Sequence, residues 1–253
     1  MTPTPYHTAT KLLLLVTISF VSTGCGVFLK ERYAKHNGVE NKERGLPLII
    51  YKSISPAHNR KLVVMLSGDG GWQEFNDKLA IHFSRRRFNA IGFNSRSYFW
   101  KQRTPEETTT DIVYAILKYN RVWKADRIIL CGYSFGADVT PFVYNRLPKA
   151  IKDKVVAIQL LSPFLSTDFG VHMGDIIGTA ADNRNYIVGE EIKKIVGIPI
   201  YCFYGKDEYP KSLEEFKQEN FSLTLVPGDH HYKDAFVQIV NSLRSNRNLS
   251  KNE

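Results

Sequence analysis

The chain has 253 residues, 43% hydrophobic and 12% aromatic, and carries a formal charge of +9 from 34 Lys and Arg against 25 Asp and Glu. That length and apolar content suit one large α/β domain, are short for two, and exclude a chain disordered throughout. The basic excess suits an anionic partner such as a membrane surface, or a solvated face with no partner; no nucleic-acid motif and no aromatic-basic interleaving is present, so no nucleic acid is expected.

At the N-terminus, Lys11 precedes the ten-residue apolar run Leu12 to Val21, followed by Ser22-Thr23-Gly24 and Cys25. A charged start, a short apolar core and small residues before a cut describe an export signal, and the run is too short to span a bilayer. Residues 1–24 are therefore expected to be a signal peptide. Thr-Gly-Cys resembles a bacterial lipoprotein cleavage box, which makes Cys25 the lipidation candidate; a soluble periplasmic form and an uncleaved anchor are the alternatives. Polar residues 25–45 read as a tether, 46–246 as the folded domain and 247–253 as a basic tail.

Within the domain, Pro47 to Ser53 and Lys61 to Leu66 are predicted strands, the second running into Ser67-Gly68-Asp69-Gly70-Gly71-Trp72. Asn76 to Phe88 reads as a helix with Leu79, Ile81, Phe83 and Phe88 turned inward, then Ala90 to Asn94 as a strand. Thr104 to Trp123 reads as a helix capped by Thr104, with Pro105, Glu106 and Glu107 in its first turn and an inward stripe of Ile112, Val113, Ile116, Leu117 and Tyr119 or Asn120. Strand Arg127 to Cys131, helix Ala137 to Leu147 and strand Val155 to Leu161 follow. Residues 164–193 break the alternation and read as a lid. Strand Ile198 to Tyr204, helix Leu213 to Gln218, strand Leu223 to Val226 and helix Tyr232 to Leu243 close the domain. Strands that are continuous apolar runs, alternating with helices, predict a mostly parallel sheet covered on both faces.

The chemistry-bearing feature is Gly132-Tyr133-Ser134-Phe135-Gly136, directly after an apolar strand. A G-x-S-x-G turn between strand and helix holds a serine hydroxyl where a nucleophile can meet a carbonyl, and this arrangement predicts an α/β-hydrolase fold. In that fold the chain order is nucleophile, acid, histidine. Here Ser134 is followed by Gly205-Lys206-Asp207-Glu208 and then by Pro227-Gly228-Asp229-His230-His231-Tyr232, each after a strand. The expected triad is Ser134, Asp207 and His230, with Glu208 the weaker candidate for the acid and His231 the competing base or a substrate contact. The oxyanion donors are expected to be the Phe135 amide and the amide of Asp69 or Gly70 in the glycine-rich loop. Asp69 is also a candidate partner for a cationic substrate group, and Trp72 a candidate substrate contact. Asp138 reads as a structural acid favoured near a helix N-terminus. Cys131 and Cys202, one strand apart, stand about 9.6 Å from each other, beyond disulfide reach, and read as buried thiols. No cofactor and no metal is expected.

These segments resemble the VirJ/AcvB family of bacterial virulence proteins. The resemblance rests on Leu66 to Trp72, Tyr98-Phe99-Trp100, Arg103 to Glu106, Asp111, Tyr119, Trp123, Gly132 to Asp138 and Pro227 to Tyr232, and covers roughly residues 47–243. It implies an exported α/β hydrolase linked to type IV secretion, with hydrolysis of aminoacyl-phosphatidylglycerol, notably the lysyl form, as the activity in one branch. Ser134, Asp207 and His230 carry over as its triad. The partners so implied are an aminoacyl lipid or other ester and, on a non-catalytic reading, the proteins of a secretion apparatus.

Overall fold

The continuous apolar runs pair into one eight-stranded sheet in the order β1-β2-β4-β3-β5-β6-β9-β10. The strands are β1 (Val39–Asn41), β2 (Leu48–Tyr51), β3 (Lys61–Leu66), β4 (Phe88–Phe93), β5 (Arg127–Tyr133), β6 (Val155–Leu161), β9 (Ile200–Gly205) and β10 (Phe221–Val226). Neighbouring strands are parallel except in the pairs β1–β2 and β2–β4, so β2 alone runs opposite to the rest of the sheet. This is the arrangement in a computed structural model that describes residues 36–54, 60–172, 184–232, 234–246 and Leu249. The predicted leader 1–24, Cys25, the first part of the tether and most of the basic tail lie outside the described residues. Among the described residues no helix is long and apolar enough to cross a membrane.

Helices cover both faces: α1 (Glu74–Arg85), α2 (Ser95–Tyr98), α3 (Pro105–Trp123), α4 (Phe135–Arg146), α5 (Lys149–Lys152), α6 (Val188–Lys193) and α7 (Phe236–Asn241). Alternation along each strand divides the core. Leu62, Val64 and Leu66 of β3 pack with α3, α4 and α6, while Val63 and Met65 pack with α1 and α7. Because both faces are covered, every second residue of these strands is apolar on either side, which is why the strands read as unbroken apolar runs.

The start signals of α3 act as predicted. Thr104 accepts from the Glu107 amide at 3.1 Å and the Glu107 carboxylate accepts from the Thr104 amide at 2.9 Å, a capping box with Pro105 in the first turn. The predicted stripe is half right. Ile112 and Ile116 are buried with Ala115, but Leu117 is 53% exposed. At 3.6 residues per turn Leu117 sits about 100° round from Ile116, and the buried face is completed by Ala115 and, about two turns earlier, by Thr108 and Thr109. Leu213 to Gln218 forms turns rather than a helix; the Leu213 amide donates to the Tyr204 hydroxyl at 3.0 Å, and Leu213 fills the core from a loop. The last helix begins at Phe236, not Tyr232, because Tyr232 has φ 51 and cannot continue a right-handed helix.

Register fixes where the loops meet. Leu66 pairs with Gly132, Tyr133 with Leu161, Leu161 with Phe203, and Gly205 with Val226. The loops after β3, β5, β6, β9 and β10 therefore leave the sheet along one edge. Short strands β7 (Ser166–Thr167) and β8 (Tyr186–Ile187) pair antiparallel above it and lead into α6. Residues 173–183, the middle of the predicted lid, lie outside the described residues.

Candidate active site

Ser134 is the N-terminal cap of α4 and has φ 54 and ψ −124, a conformation that non-glycine residues rarely adopt. Strain of this kind amounts to about 1–3 kcal/mol and persists only where the surroundings impose it. Here they do: the Ser134 amide donates to the Leu161 carbonyl at 2.7 Å, and its carbonyl accepts from the Ala137 amide at 2.7 Å. The flanking glycines are required by close approach. A Cβ on Gly132 would stand 2.3 Å from the Gly136 carbonyl oxygen, and one on Gly136 would stand 2.3 Å from the Leu66 carbonyl oxygen. Strand, turn and helix pass each other at backbone contact, with Ser134 at the tip of the turn and 6% exposed.

The loop after β3 lies against that tip, since a Cβ on Gly68 would be 3.3 Å from Ser134 Cβ. The loop is a tight turn closed by the Gly71 amide donating to the Gly68 carbonyl at 3.0 Å. Of the two loop amides put forward as oxyanion donors, that of Gly70 is already engaged: it donates to Asp69 Oδ1 at 2.9 Å. The Phe135 amide, among the first N–H groups of α4, has no acceptor within its own helix.

His230 sits beside this turn. Its carbonyl accepts from the Tyr133 hydroxyl at 2.9 Å, and its ring lies 5.3 Å from that of Tyr133. Nδ1 of His230 is 2.7 Å from Glu208 Oε1. The carboxylate that meets the histidine is thus Glu208, not Asp207. Both lie in the turn after β9, but Asp207 is exposed and attached through its amide to the Gly228 carbonyl at 3.1 Å. Glu208 is 7% exposed, and its longer side chain folds back so that Oε2 accepts from the Gly205 amide at 3.0 Å and from Ser162 Oγ at 2.6 Å. Burial pushes the Glu208 carboxyl up, but the hydrogen bonds from His230, Ser162 and the Gly205 amide outweigh burial and hold it below the usual carboxylate range.

A serine on a strained strand-to-helix tip, a histidine held against the preceding Tyr133 and a buried carboxylate on one nitrogen of that histidine thus share one edge of the sheet. A family described as "Bacterial virulence protein (VirJ)" matches residues 60–248. The chain belongs to the VirJ family. No curated protein matches it by sequence. Its fold is similar to Est1E from Butyrivibrio proteoclasticus, with a TM-score of 0.59 at 13% identity over 82% of this chain and 96% of that one. An esterase of Pyrococcus furiosus gives 0.58 at 16% identity, over 86% and 91% of the two chains. The esterase domain of a Rhodothermus marinus protein gives 0.57 at 12% identity, over 85% and 99%. At such identities the likeness is one of fold, and the fold is the α/β-hydrolase fold.

In this VirJ-family chain the remaining predicted site residues divide. Trp72 belongs to the core: it is fully buried, its Nε1 donates to the Tyr51 hydroxyl at 3.0 Å, and its ring fills the space a Cβ on Gly92 would need. It is not a substrate contact. His231 is exposed at the rim of a cleft of about 290 Å³ that is also lined by Phe75, Lys78 and Asp234. Asp138 is buried and accepts from the Phe164 amide at 2.6 Å, tying α4 to the loop after β6. Burial pushes the Asp138 carboxyl well above the usual range; the Phe164 amide and Arg184 oppose this and Asp69 adds to it. Cys131 and Cys202 are free and buried, and burial raises both thiols. Among the described residues no three His, Cys, Asp or Glu side chains gather as a metal site requires. A larger cavity of about 670 Å³, lined by Val39, Ile50, Ile81 and Arg85 and by Lys52, Ser84 and Tyr119 among others, lies at the β1–β2 edge, away from the strand ends that carry Ser134 and His230. Sequence reasoning missed Ser162, whose only signal was its place directly after a strand on the same edge.

Proposed function

We propose that this chain is an exported serine hydrolase that cleaves a carboxylic ester, with Ser134, His230 and Glu208 as its triad. The observation that carries the reading is the 2.7 Å contact between His230 Nδ1 and Glu208 Oε1, with the same histidine packed against Tyr133, the residue before a serine held at φ 54. In the first step Ser134 Oγ attacks the ester carbonyl while its proton passes to His230 Nε2. Glu208 accepts from Nδ1–H, holding that tautomer and stabilising the imidazolium. The tetrahedral oxyanion is bound by the amides of Phe135 and Asp69. His230 then protonates the departing alcohol, leaving an acyl ester on Ser134. Water, deprotonated by His230, attacks that ester and frees the acid and Ser134.

For the substrate, an aminoacyl phospholipid such as lysyl-phosphatidylglycerol fits best. Asp69, Asp229 and Glu208 each raise the Tyr133 hydroxyl after burial has done so, and Asp69 does the same to Asp138. In a chain of net charge +9, the carboxylates of Glu208, Asp69 and Asp229 thus lie near Tyr133 at the proposed catalytic edge, with Arg184 near Asp138. Such an edge favours a cationic acyl group, while the basic remainder of the surface favours an anionic bilayer. The leader and Cys25 support a periplasmic location with attachment to that bilayer.

Two measurements test this. A fluorophosphonate probe is expected to label the wild type on Ser134 and to leave Ser134→Ala unlabelled. Wild-type protein incubated with lysyl-phosphatidylglycerol vesicles is expected to release lysine. Labelling of both proteins alike would remove the triad; labelling of the wild type without lysine release would keep the hydrolase and remove the lipid substrate.

A further inference from the structure

The Glu208 carboxylate is held from its far side by a chain of hydroxyls that the triad does not use. Ser162 directly follows β6, is 1% exposed and has φ 52. Its Oγ is 2.6 Å from Glu208 Oε2 and 2.5 Å from the Tyr232 hydroxyl, which in turn is 2.8 Å from the Phe203 carbonyl oxygen. Tyr232 is fully buried. Three oxygen–oxygen contacts therefore run from Glu208 to Phe203, while the two hydroxyls between them carry one proton each.

One contact must do without a proton, and the structure shows which can. The Phe203 carbonyl already accepts from the Ser162 amide at 2.8 Å, so it stays satisfied if the Tyr232 proton turns away. With Glu208 ionised, Tyr232 donates to Ser162 and Ser162 donates to Glu208. Both hydroxyl dipoles then point at the negative charge and polarise each other.

The geometry points to Ser162 and Tyr232 as positioning residues: a two-hydroxyl chain that fixes the rotation of the Glu208 carboxylate so that Oε1 faces His230 Nδ1. A glutamate has one more rotatable bond than an aspartate, and its side chain loses more freedom when ordered. The Ser162 and Gly205 donors on Oε2 supply that order, and both are anchored to the sheet. Ser162 is locked to β9 through its amide, and Gly205 is the last residue of β9. The inference rests on the triad reading above.

The test is the second-order rate at which a fluorophosphonate labels Ser134, with thermal unfolding as a control for folding. Ser162→Ala is expected to slow labelling about tenfold, the equivalent of one charge-assisted hydrogen bond. Tyr232→Phe, which keeps the ring and removes only the hydroxyl, is expected to slow it severalfold. In both, the maximal inactivation rate falls and the half-saturating probe concentration holds. In the Glu208→Gln background, neither substitution slows labelling further. The same slowing with or without Glu208 would overturn the inference, and so would slowing by Glu208→Gln but not by Ser162→Ala. If Glu208→Gln itself leaves labelling unchanged, the triad reading fails, and the positioning role fails with it.

Discussion

Two buried carboxylates in this fold each meet a tyrosine-containing network, and only one of them has a histidine among its partners. Asp77, on α1, accepts from the Tyr51 hydroxyl at 2.6 Å and from the Asn37 amide and side chain at 2.7 and 2.6 Å, with Trp72 donating to Tyr51 behind it. Every donor there is a group that keeps its proton at any physiological pH. The network clamps the entry to β1 against α1 and has no means of moving a proton. Glu208 also accepts three hydrogen bonds, but one donor is an imidazole whose side chain is 31% exposed. A buried acid can serve proton-transfer chemistry when one of its partners is an imidazole that reaches the surface.

Substitutions can break that contrast or sharpen it. Ser134→Ala is expected to reduce ester turnover by about 10³-fold or more with the fold intact, measured by turnover and circular dichroism. Glu208→Gln, which leaves His230 with the wrong hydrogen-bond partner, is expected to lower kcat by about 10²–10⁴-fold, whereas Asp207→Asn stays within about twofold of the wild type. Equal losses from the two would return the acid to Asp207. Gly136→Ala is expected to destabilise by about 2–4 kcal/mol in denaturant unfolding, because its Cβ meets backbone that cannot yield. Asp77→Asn is expected to lower stability by about 1–3 kcal/mol while kcat holds; a loss of activity with intact stability would make the clamp part of the site.

The smallest effect is a pH dependence. The Glu208 carboxyl titrates below its ordinary value of 4.5 in the folded protein, so near and below that value the unfolded chain binds more protons and stability falls with falling pH. This contribution is complete above about pH 4.5 and is lost as pH drops through the folded value. Glu208→Gln should flatten the acid side of the stability curve over that window. An unchanged acid limb would show that the carboxylate is no better held in the folded state than in water.

The elbow at Ser134 was legible because everything it needs is local: an apolar strand, two glycines two residues either side of a serine, and a helix. The order of serine, acid turn and histidine was legible because each directly follows an apolar run that reads as a strand. The choice between Asp207 and Glu208 was not, because they are adjacent in one turn and only its backbone path decides which side chain turns inward. Trp72 looked like a site residue because it ends the glycine-rich loop. Its burial depends on the missing Cβ of Gly92, on a strand that the sequence does not mark as its neighbour. Ser162 was invisible because its role requires Tyr232 and Glu208, 70 and 46 residues away, to converge on it.

The two buried thiols offer a clock for each layer of the molecule. Cys131 points into the layer packed by α1 and α7, and Cys202 into the layer packed by α3, α4 and α6. A thiol hidden in a folded sheet reacts with an alkylating reagent only when its surroundings open. Timed alkylation read by mass would therefore record the opening of each face separately. Equal rates would mean the sheet unzips as one unit, and unequal rates would name the face that loosens first.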